Sequence, residues 1–283
     1  MAILLSYLFY FVAASASPLQ RRWLATRRPA EGSGQTAFAF RTSLVVITLS
    51  LFIPLFSPFE IKGGFEDLVL LTAVCGVFGA GFFVCSYIAQ RHVEAGISIL
   101  VVNIYTPITI ILASMFLNER LTSLQVLGTL LLLVAIVLIS KKHRIGVFRF
   151  DKYFLLMLAS GIMLGAALTA ERALQKTTGF AAGSILSWWA QSACLGIAVL
   201  LARSKTAYGF TDTLTTGVLR FFQQLSWVIL LFVVGNLSVV SAVTTFKIVV
   251  IFIAAAFLLK EREDLPRKIL GGLVAVAGLL LMK

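Results

Sequence analysis

Apolar runs of membrane-spanning length follow one another along almost the whole chain, separated by short polar or basic segments. A helix needs roughly 20 mostly apolar residues to cross the hydrocarbon core of a bilayer. Ten runs approach this length, and they cover residues 2–18, 37–56, 67–89, 95–117, 121–140, 153–170, 181–202, 214–235, 237–259 and 266–282. No segment between them is polar enough for a separate soluble domain. The pattern predicts an all-α integral membrane protein with ten transmembrane helices.

A hairpin of two apolar helices occurs twice, once at the end of each half of the chain. Residues 96–140 and 237–282 each contain two apolar stretches joined by a polar turn. Both turns place a Glu-Arg pair directly after an apolar helix, beginning at Glu119 in the first copy and at Glu261 in the second. Self-similarity at about half the chain length is typical of transporters made of two repeats.

The division into halves has a topological consequence. The boundaries predict a first five-helix repeat at residues 1–140, a basic connecting loop at 141–152 and a second five-helix repeat at 153–283. Because five is an odd number, the second repeat must cross the membrane in the opposite sense, so the repeats are predicted to be inverted.

The composition agrees with a membrane domain and excludes other classes. Hydrophobic residues make up 59% of the chain, charged residues make up 13%, and the mean hydropathy is +0.98. An ordinary soluble domain is roughly 45–50% apolar. The net charge of +12 does not indicate nucleic acid, because the basic residues form short clusters between apolar runs. Such clusters are typical of cytoplasmic loops that face anionic headgroups.

The loop charges also predict an orientation. The loops after odd-numbered spans hold most of the 24 lysines and arginines. The positive-inside rule therefore places the 141–152 loop in the cytoplasm and both termini outside it. The first span ends in small residues that resemble a signal-peptide cleavage site, but it lacks a basic segment before it and Arg21 and Arg22 follow at once. We therefore expect residues 2–18 to remain as a membrane span. A loop from residue 21 to residue 36 is expected to follow it. The expected location is the plasma (inner) membrane of a prokaryote.

Several of these features together resemble the EamA-type transporters of the drug/metabolite transporter superfamily. They are the five-plus-five spans, the Glu-Arg pairs after spans four and nine, Arg41 at the start of span two and Pro107 in span four. The second repeat departs from the pattern, because Val249 stands where Pro107 stands in the first. The resemblance implies a transporter whose termini are both cytoplasmic, which is opposite to the orientation that the loop charges predict.

Lys247 is the leading candidate for a functional residue. It lies within the apolar span nine, and a lysine at the bilayer centre costs roughly 2.5–3.5 kcal/mol on insertion scales. It should therefore face a wet cavity or a partner from another helix. Span nine contains no acidic residue, so we expect the partner to be an anionic group of the substrate. Some sugar-phosphate translocators of the resembled superfamily hold anions with a lysine in span nine.

Further candidates follow from the repeat alignment. Asn103 and Tyr105 in span four align with Thr245 and Lys247 in span nine. Pro107 removes a backbone hydrogen bond nearby and frees a carbonyl group. Paired midplane positions of inverted repeats are where such carriers bind substrate.

Polar stripes run along one face of spans seven and eight. The stripe of span eight consists of Arg220, Gln223, Gln224 and Trp227, and that of span seven consists of Ser184, Ser187, Trp188 and Gln191. Offsets of three, four and seven residues place each set on one helical face. Such stripes either hold helices together or line a cavity. Two stripes in adjacent helices, each with a tryptophan, favour a cavity.

The role of one remaining polar residue is left undecided by the sequence, and the others are predicted to lie at the surface. Arg41 is either an interfacial residue or a substrate ligand. Glu171 ends span six, where a surface role is expected, and Tyr10 lies near a span end, where tyrosine is typical of the interfacial belt. The predicted substrate-binding set is Lys247, Thr245, Asn103, Tyr105, Gln191, Trp188, Gln224, Gln223 and Arg41.

Catalytic and metal motifs are missing from the sequence. The three cysteines lie inside apolar runs without metal-binding spacing, and no phosphate-binding glycine loop or nucleophile set occurs. We expect no enzymatic activity, cofactor or metal. Span one contains no acidic residue, unlike the small multidrug exporters of the resembled superfamily, and this argues against proton-driven drug export.

The sequence therefore predicts a secondary transporter of small polar metabolites, including anionic ones, that works by alternating access. One alternative is a flippase for lipid-linked sugars or polyprenyl phosphates, and another is a membrane scaffold or sensor that does not transport. A small-molecule substrate and membrane lipids are the expected partners. Nucleic acid is not, and the protein is expected to be a monomer or homodimer.

Overall fold

The protein is helical throughout the part of the chain that the computed structural model describes, which is residues 2–27, 32–117, 123–140, 151–206, 208–234, 247–260 and 265–281. These ranges contain no strand. Their α-helices are α1 (Ala2–Arg27), α2 (Gly32–Ser50), α3 (Phe65–Ala89), α4 (Ala95–Val102), α5 (Tyr105–Leu117), α6 (Ser123–Ser140), α7 (Lys152–Thr178), α8 (Phe180–Leu201), α9 (Phe210–Val234), α10 (Lys247–Leu258) and α11 (Leu265–Leu281).

Five of these helices, α1, α2, α3, α7 and α8, are long and apolar enough to cross a membrane. They correspond to the predicted spans one, two, three, six and seven. The protein is therefore an all-α, multi-pass integral membrane protein, as the apolar pattern predicts.

Helix α1 is longer than the predicted first span. It continues through Pro18 and past Arg21 and Arg22 to Arg27, so the predicted loop beginning at residue 21 is wrong. The helical pattern of burial continues as well, since Leu24 is only 1% exposed. Nη1 of Arg22 donates hydrogen bonds to the carbonyl oxygens of Gln90 and Arg91, each at 2.6 Å. Arg22 thus ties α1 to the chain just after α3 and is not a loop charge.

The predicted span four is broken into α4 and α5 at Asn103 and Ile104. Pro107 lacks the N–H that would bond to the carbonyl of Asn103 in a continuous helix. That carbonyl instead accepts a hydrogen bond from the backbone N–H of Thr106 at 3.0 Å, and the Asn103 side chain donates to the carbonyl of Ile99 at 2.6 Å. The carbonyl that Pro107 leaves behind is therefore satisfied locally.

Two glycines of α7 pack against the backbone at the break between α4 and α5. A Cβ atom at Gly161 would lie 2.8 Å from the carbonyl oxygen of Val102, and a Cβ atom at Gly165 would lie 3.0 Å from that of Tyr105. Only residues without a side chain allow the backbones to approach so closely. The glycines thereby fix the position of Tyr105 relative to α7.

The helices of the two halves are interleaved. Helix α3 packs on α7 and α8, α1 packs on α9 and α10, and α6 packs on α11. The largest hydrophobic cluster joins residues of α4, α5, α7 and α10. Side chains from both halves also meet around a cavity.

Candidate substrate-binding cavity

A cavity of about 890 Å³, measured with its open mouth, is lined by side chains from α1, α3, α5, α7, α8, α9 and α10. Aromatic rings form much of its wall. Its charged groups are the basic side chains of Arg21, Arg220 and Lys247 and the carboxylate of Glu171. Among the described residues, basic groups therefore outnumber acidic ones in this pocket.

Lys247, the first described residue of α10, is buried with 7% of its surface exposed. Its Nζ donates a hydrogen bond to the hydroxyl of Tyr10 at 3.1 Å, and it lies 5.6 Å from the ring centroid of Tyr105. None of the ion pairs between described residues involves Lys247. Among the described residues, a neutral hydroxyl and aromatic rings thus surround this cation, and no described carboxylate pairs with it.

Arg220 of α9 is the second buried cation, with 4% of its surface exposed. Its Nη1 donates to the carbonyl of Ala39 at 3.3 Å and to Oγ1 of Thr42 at 3.4 Å. Its Cζ lies 3.4 Å from the ring centroid of Phe83, which is a cation–π contact. Its buried Nε has no hydrogen-bond partner among the described residues.

Arg21 of α1 is the third cation. Its Cζ lies 4.8 Å from the ring centroid of Tyr87, and its Nε is likewise buried without a described partner. A buried donor left unpaired costs about 1–3 kcal/mol. An anionic ligand in the cavity would supply acceptors for these two Nε atoms.

Glu171 lies in the cavity wall, so the surface role predicted for it is wrong. It is only 9% exposed and lies next to the side chains of Ser187 and Trp188 on α8. The physical reason is the length of α7, which continues to Thr178 and carries the carboxylate past the predicted helix end into a packed region. Glu171 forms no ion pair with a described cation.

The polar stripe of α9 lines the cavity with all four members, Arg220, Gln223, Gln224 and Trp227. This geometry is the one that the sequence favours. Oε1 of Gln224 is buried without a hydrogen-bond partner among the described residues. The cavity wall therefore offers a ligand an unpaired acceptor in addition to the unpaired Nε donors of Arg21 and Arg220.

Part of the polar stripe of α8 lines the cavity, and part of it holds helices together. Trp188 and Gln191 line the cavity, and Gln191 donates to Oγ of Ser187 at 3.0 Å. Ser184 instead accepts a hydrogen bond from Nε2 of Gln175 at 2.9 Å, which holds α8 to α7. Gly79 of α3 makes room for Gln191, because a Cβ there would lie 2.3 Å from its Cγ.

The remaining predicted residues lie in different places. Tyr105 lines the cavity beside Lys247. Asn103 is 1% exposed and bonded to its own helix, and it is not in the cavity wall. Arg41 is exposed and also lies outside the wall. Thr245 lies outside the described residues.

Sequence reasoning missed three polar residues of the cavity, Tyr10, Arg21 and Glu171, as well as its apolar wall. Tyr10 and Arg21 are separated by about three helical turns, so they share one face of α1. That spacing is visible in the sequence once the first helix is extended past Pro18. No group of acidic, histidine or cysteine residues that could hold a metal occurs in the described part of the chain.

Comparison with known proteins agrees with this architecture. The profile of the EamA-like transporter family matches residues 1–141. A solved structure entitled "Crystal structure of protein" has 17% sequence identity and a TM-score of 0.54, and the match covers 99% of this chain and 96% of that chain. At this identity the likeness shows the fold alone. No curated protein sequence matches the chain.

The fold defines a multi-pass helical membrane protein, and its described residues form a cavity that is lined from both halves of the chain. Through the match to its first half, the chain belongs to the EamA-like transporter family. It is therefore a membrane transporter of the drug/metabolite transporter superfamily.

Proposed function

We propose that the protein is a secondary transporter of small anionic metabolites, namely carboxylates or phosphates, and that it works by alternating access. The observation that carries the proposal is the meeting of Lys247, Arg220 and Arg21 on one cavity. Counting Glu171 as ionised, the described residues of the wall contribute three positive charges and one negative charge, a net charge of +2. A substrate with one or two negative charges compensates this charge.

The energetics also favour an anionic ligand. Burying Lys247 beside a neutral hydroxyl is costly unless a counter-charge arrives. The unpaired Nε atoms of Arg21 and Arg220 add two donors that face no described acceptor. Guanidinium groups bind carboxylates and phosphates through paired N–H groups, which sets the preferred geometry of the ligand.

We further propose that the protein consists of two inverted five-helix repeats, residues 1–140 and 153–283. If α7, α8 and α9 correspond to α1, α2 and α3, exchanging the halves turns the α3–α7 contact into the α9–α1 contact. It likewise turns α3–α8 into α9–α2. All four contacts occur among the described helices. This exchange supports a two-fold relation, and rocking of one repeat against the other is the motion that such a relation favours.

A breakable polar tie between elements of the structure supports alternating access. Lys268 of α11, in the second repeat, forms an ion pair with Glu94 just before α4, in the first repeat. This tie involves segments at the ends of helices and not the apolar interior. We infer that it closes one end of the cavity and opens when the repeats rock, whereas the Arg22 contacts lie within the first repeat and stay closed.

Uptake by reconstituted proteoliposomes tests the substrate class. The panel contains labelled small carboxylates and phosphates, neutral polyols and primary amines, with protein-free liposomes as the control. We expect saturable uptake of anions alone. Transport restricted to amines or neutral polyols would contradict the proposal, and flipping of a fluorescent polyprenyl phosphate without uptake of a small anion would favour the flippase. A scaffold or sensor would transport nothing.

We expect the protein to act in the plasma membrane of a prokaryote, as a monomer or homodimer, with substrate and lipid as its partners. Neither catalysis nor a cofactor is part of this mechanism. Binding energy for the substrate and the repacking of helices are sufficient for passive or coupled movement of a solute.

A further inference from the structure

Glu171 is the only carboxylate among the described residues of the cavity wall. Its side chain is buried and forms no ion pair with the described cations. Ser187 and Trp188, which lie beside it, carry no charge. The basic groups occupy the same cavity but belong to other helices, α1, α9 and α10. The acid and the cations therefore act on any ligand without neutralising each other directly.

The charge state of Glu171 changes how strongly the cavity attracts an anion. When the carboxylate is ionised, the described wall of the cavity carries three positive charges and one negative charge. When it is protonated, the three positive charges of that wall remain. Two unit charges about 10 Å apart, at an effective dielectric constant of about 20, change binding by roughly tenfold. Protonation of Glu171 therefore favours binding of the anion, and by reciprocity binding of the anion favours protonation.

We propose that Glu171 is the proton-binding site of the transporter and that it couples the entry of one proton to the entry of one anion. This inference rests on the proposed anionic substrate. The carboxylate takes up a proton from the side on which the substrate binds. It releases that proton on the other side, after the substrate has left and the cations have again favoured the ionised form. No covalent bond is made or broken, and the only group transferred is the proton.

The groups that face Glu171 from neighbouring helices are consistent with this role. Cys75 of α3 lies near it, and its thiol is directed to the carbonyl of Ala167 at 3.8 Å. Tyr105 of α5 and Tyr10 of α1 are the phenols of the cavity, and Arg21, Arg220 and Lys247 are its cations. None of these groups is a second carboxylate. The proton that moves with the anion is therefore assigned to Glu171.

The decisive variant is Glu171→Gln, which imitates the protonated carboxyl group in size and charge. Anion affinity of the wild type is expected to fall by roughly tenfold from acidic to alkaline pH. The variant is expected to keep the tight affinity at both. In proteoliposomes, an inward proton gradient should drive anion accumulation by the wild type, whereas the variant should only exchange anions. Glu66→Gln, at an exposed position of α3, is the matched control and should behave as the wild type.

Proton uptake in detergent gives a second readout that does not depend on the variant. A pH-indicator dye should report about one proton bound per anion bound by the wild-type protein. Accumulation by Glu171→Gln under a proton gradient would overturn the inference. Loss of anion binding by this variant at every pH would also overturn it, because Glu171 would then hold a positive group of the substrate. Absence of anion binding by the wild type would instead refute the proposed function itself, and the inference with it.

Discussion

The ammonium group of Lys247 donates a 3.1 Å hydrogen bond to the hydroxyl of Tyr10, and this contact joins the second half of the chain to its first helix. Both residues are buried, with 7% and 3% of their surfaces exposed. A hydroxyl orients the ammonium group but leaves its charge uncompensated. Lys247 is therefore held in place and remains able to attract an anion.

Replacing Tyr10 with Phe should weaken substrate binding without unfolding the protein. The change removes the hydroxyl that orients Lys247 and keeps the aromatic ring. A hydrogen bond to a charged group contributes about 1.5–3 kcal/mol, so we expect the KM for the anion to rise by about tenfold. Tyr7→Phe is the control, because the buried Tyr7 hydroxyl has no hydrogen-bond partner among the described residues. An unchanged KM in Tyr10→Phe would show that the hydroxyl does not position the lysine.

Replacing Gly161 with Ala should destabilise the protein. The new Cβ would meet the carbonyl oxygen of Val102 at 2.8 Å and Cγ2 of Ile104 at 2.6 Å, and the backbone oxygen cannot move away cheaply. Overpacking of this kind costs about 1–3 kcal/mol, which thermal melting in detergent should detect. Gly64→Ala is the control, since its Cβ would lie 3.8 Å from the nearest atom. Equal melting temperatures for both variants would mean that α7 does not pack tightly on the break between α4 and α5.

Removing one charge of the Glu94–Lys268 ion pair should lower the free energy of unfolding, whereas removing both charges should lower it much less. The side chain of Lys268 is 8% exposed and that of Glu94 is 25% exposed, so Glu94→Gln leaves a nearly buried cation. We expect a loss of about 2 kcal/mol in unfolding free energy, below the range for a fully buried pair. The double variant Glu94→Gln/Lys268→Met should recover most of this loss.

The pair formed by Glu60 and Lys62 provides the comparison, since its side chains are 49% and 71% exposed. Exposed pairs contribute little, and Glu60→Gln should leave the melting curve unchanged. If Glu94→Gln also left the melting curve unchanged, the pair between α11 and the start of α4 would not be a closing contact of the cavity.

Thiol accessibility tests whether the cavity is reached from both sides of the membrane. In a background without Cys75, Cys85 and Cys194, Gln224→Cys should react with a small water-soluble reagent added from either side, and saturating anion should slow the reaction. Leu230→Cys is the control, since Leu230 is fully buried on the same helix. Labelling of Gln224→Cys from one side alone, with and without substrate, would argue against alternating access.

Much of this architecture is predictable from the sequence because it follows from helix periodicity. The α9 stripe from Arg220 to Trp227 lies on one face by spacing alone, and that face lines the cavity. The sequence predicts span four as one helix in which Pro107 frees a carbonyl, and the observed break near Asn103 is the local effect of that missing N–H. Such local rules need no knowledge of how the helices pack.

The parts that were missed depend on where helices end and on contacts between distant segments. Apolar content alone ends α1 near residue 18 and α7 near residue 170, whereas packing extends both, and this brings Arg21 and Glu171 into the cavity. Asn103 was predicted by repeat alignment, yet its side chain bonds to its own helix. Alignment of repeats gives depth in the membrane but not the direction of a side chain.

The most direct test of the central claim is anion uptake by Lys247→Met in proteoliposomes, with a melting curve in detergent as the folding control. Methionine is similar in size to lysine and removes the cost of burying the charge, so the variant should melt at the wild-type temperature or above it. We predict that it binds and transports no anion, whereas Lys62→Met, at an exposed position, transports as the wild type does. Undiminished anion uptake by a well-folded Lys247→Met protein would contradict the account.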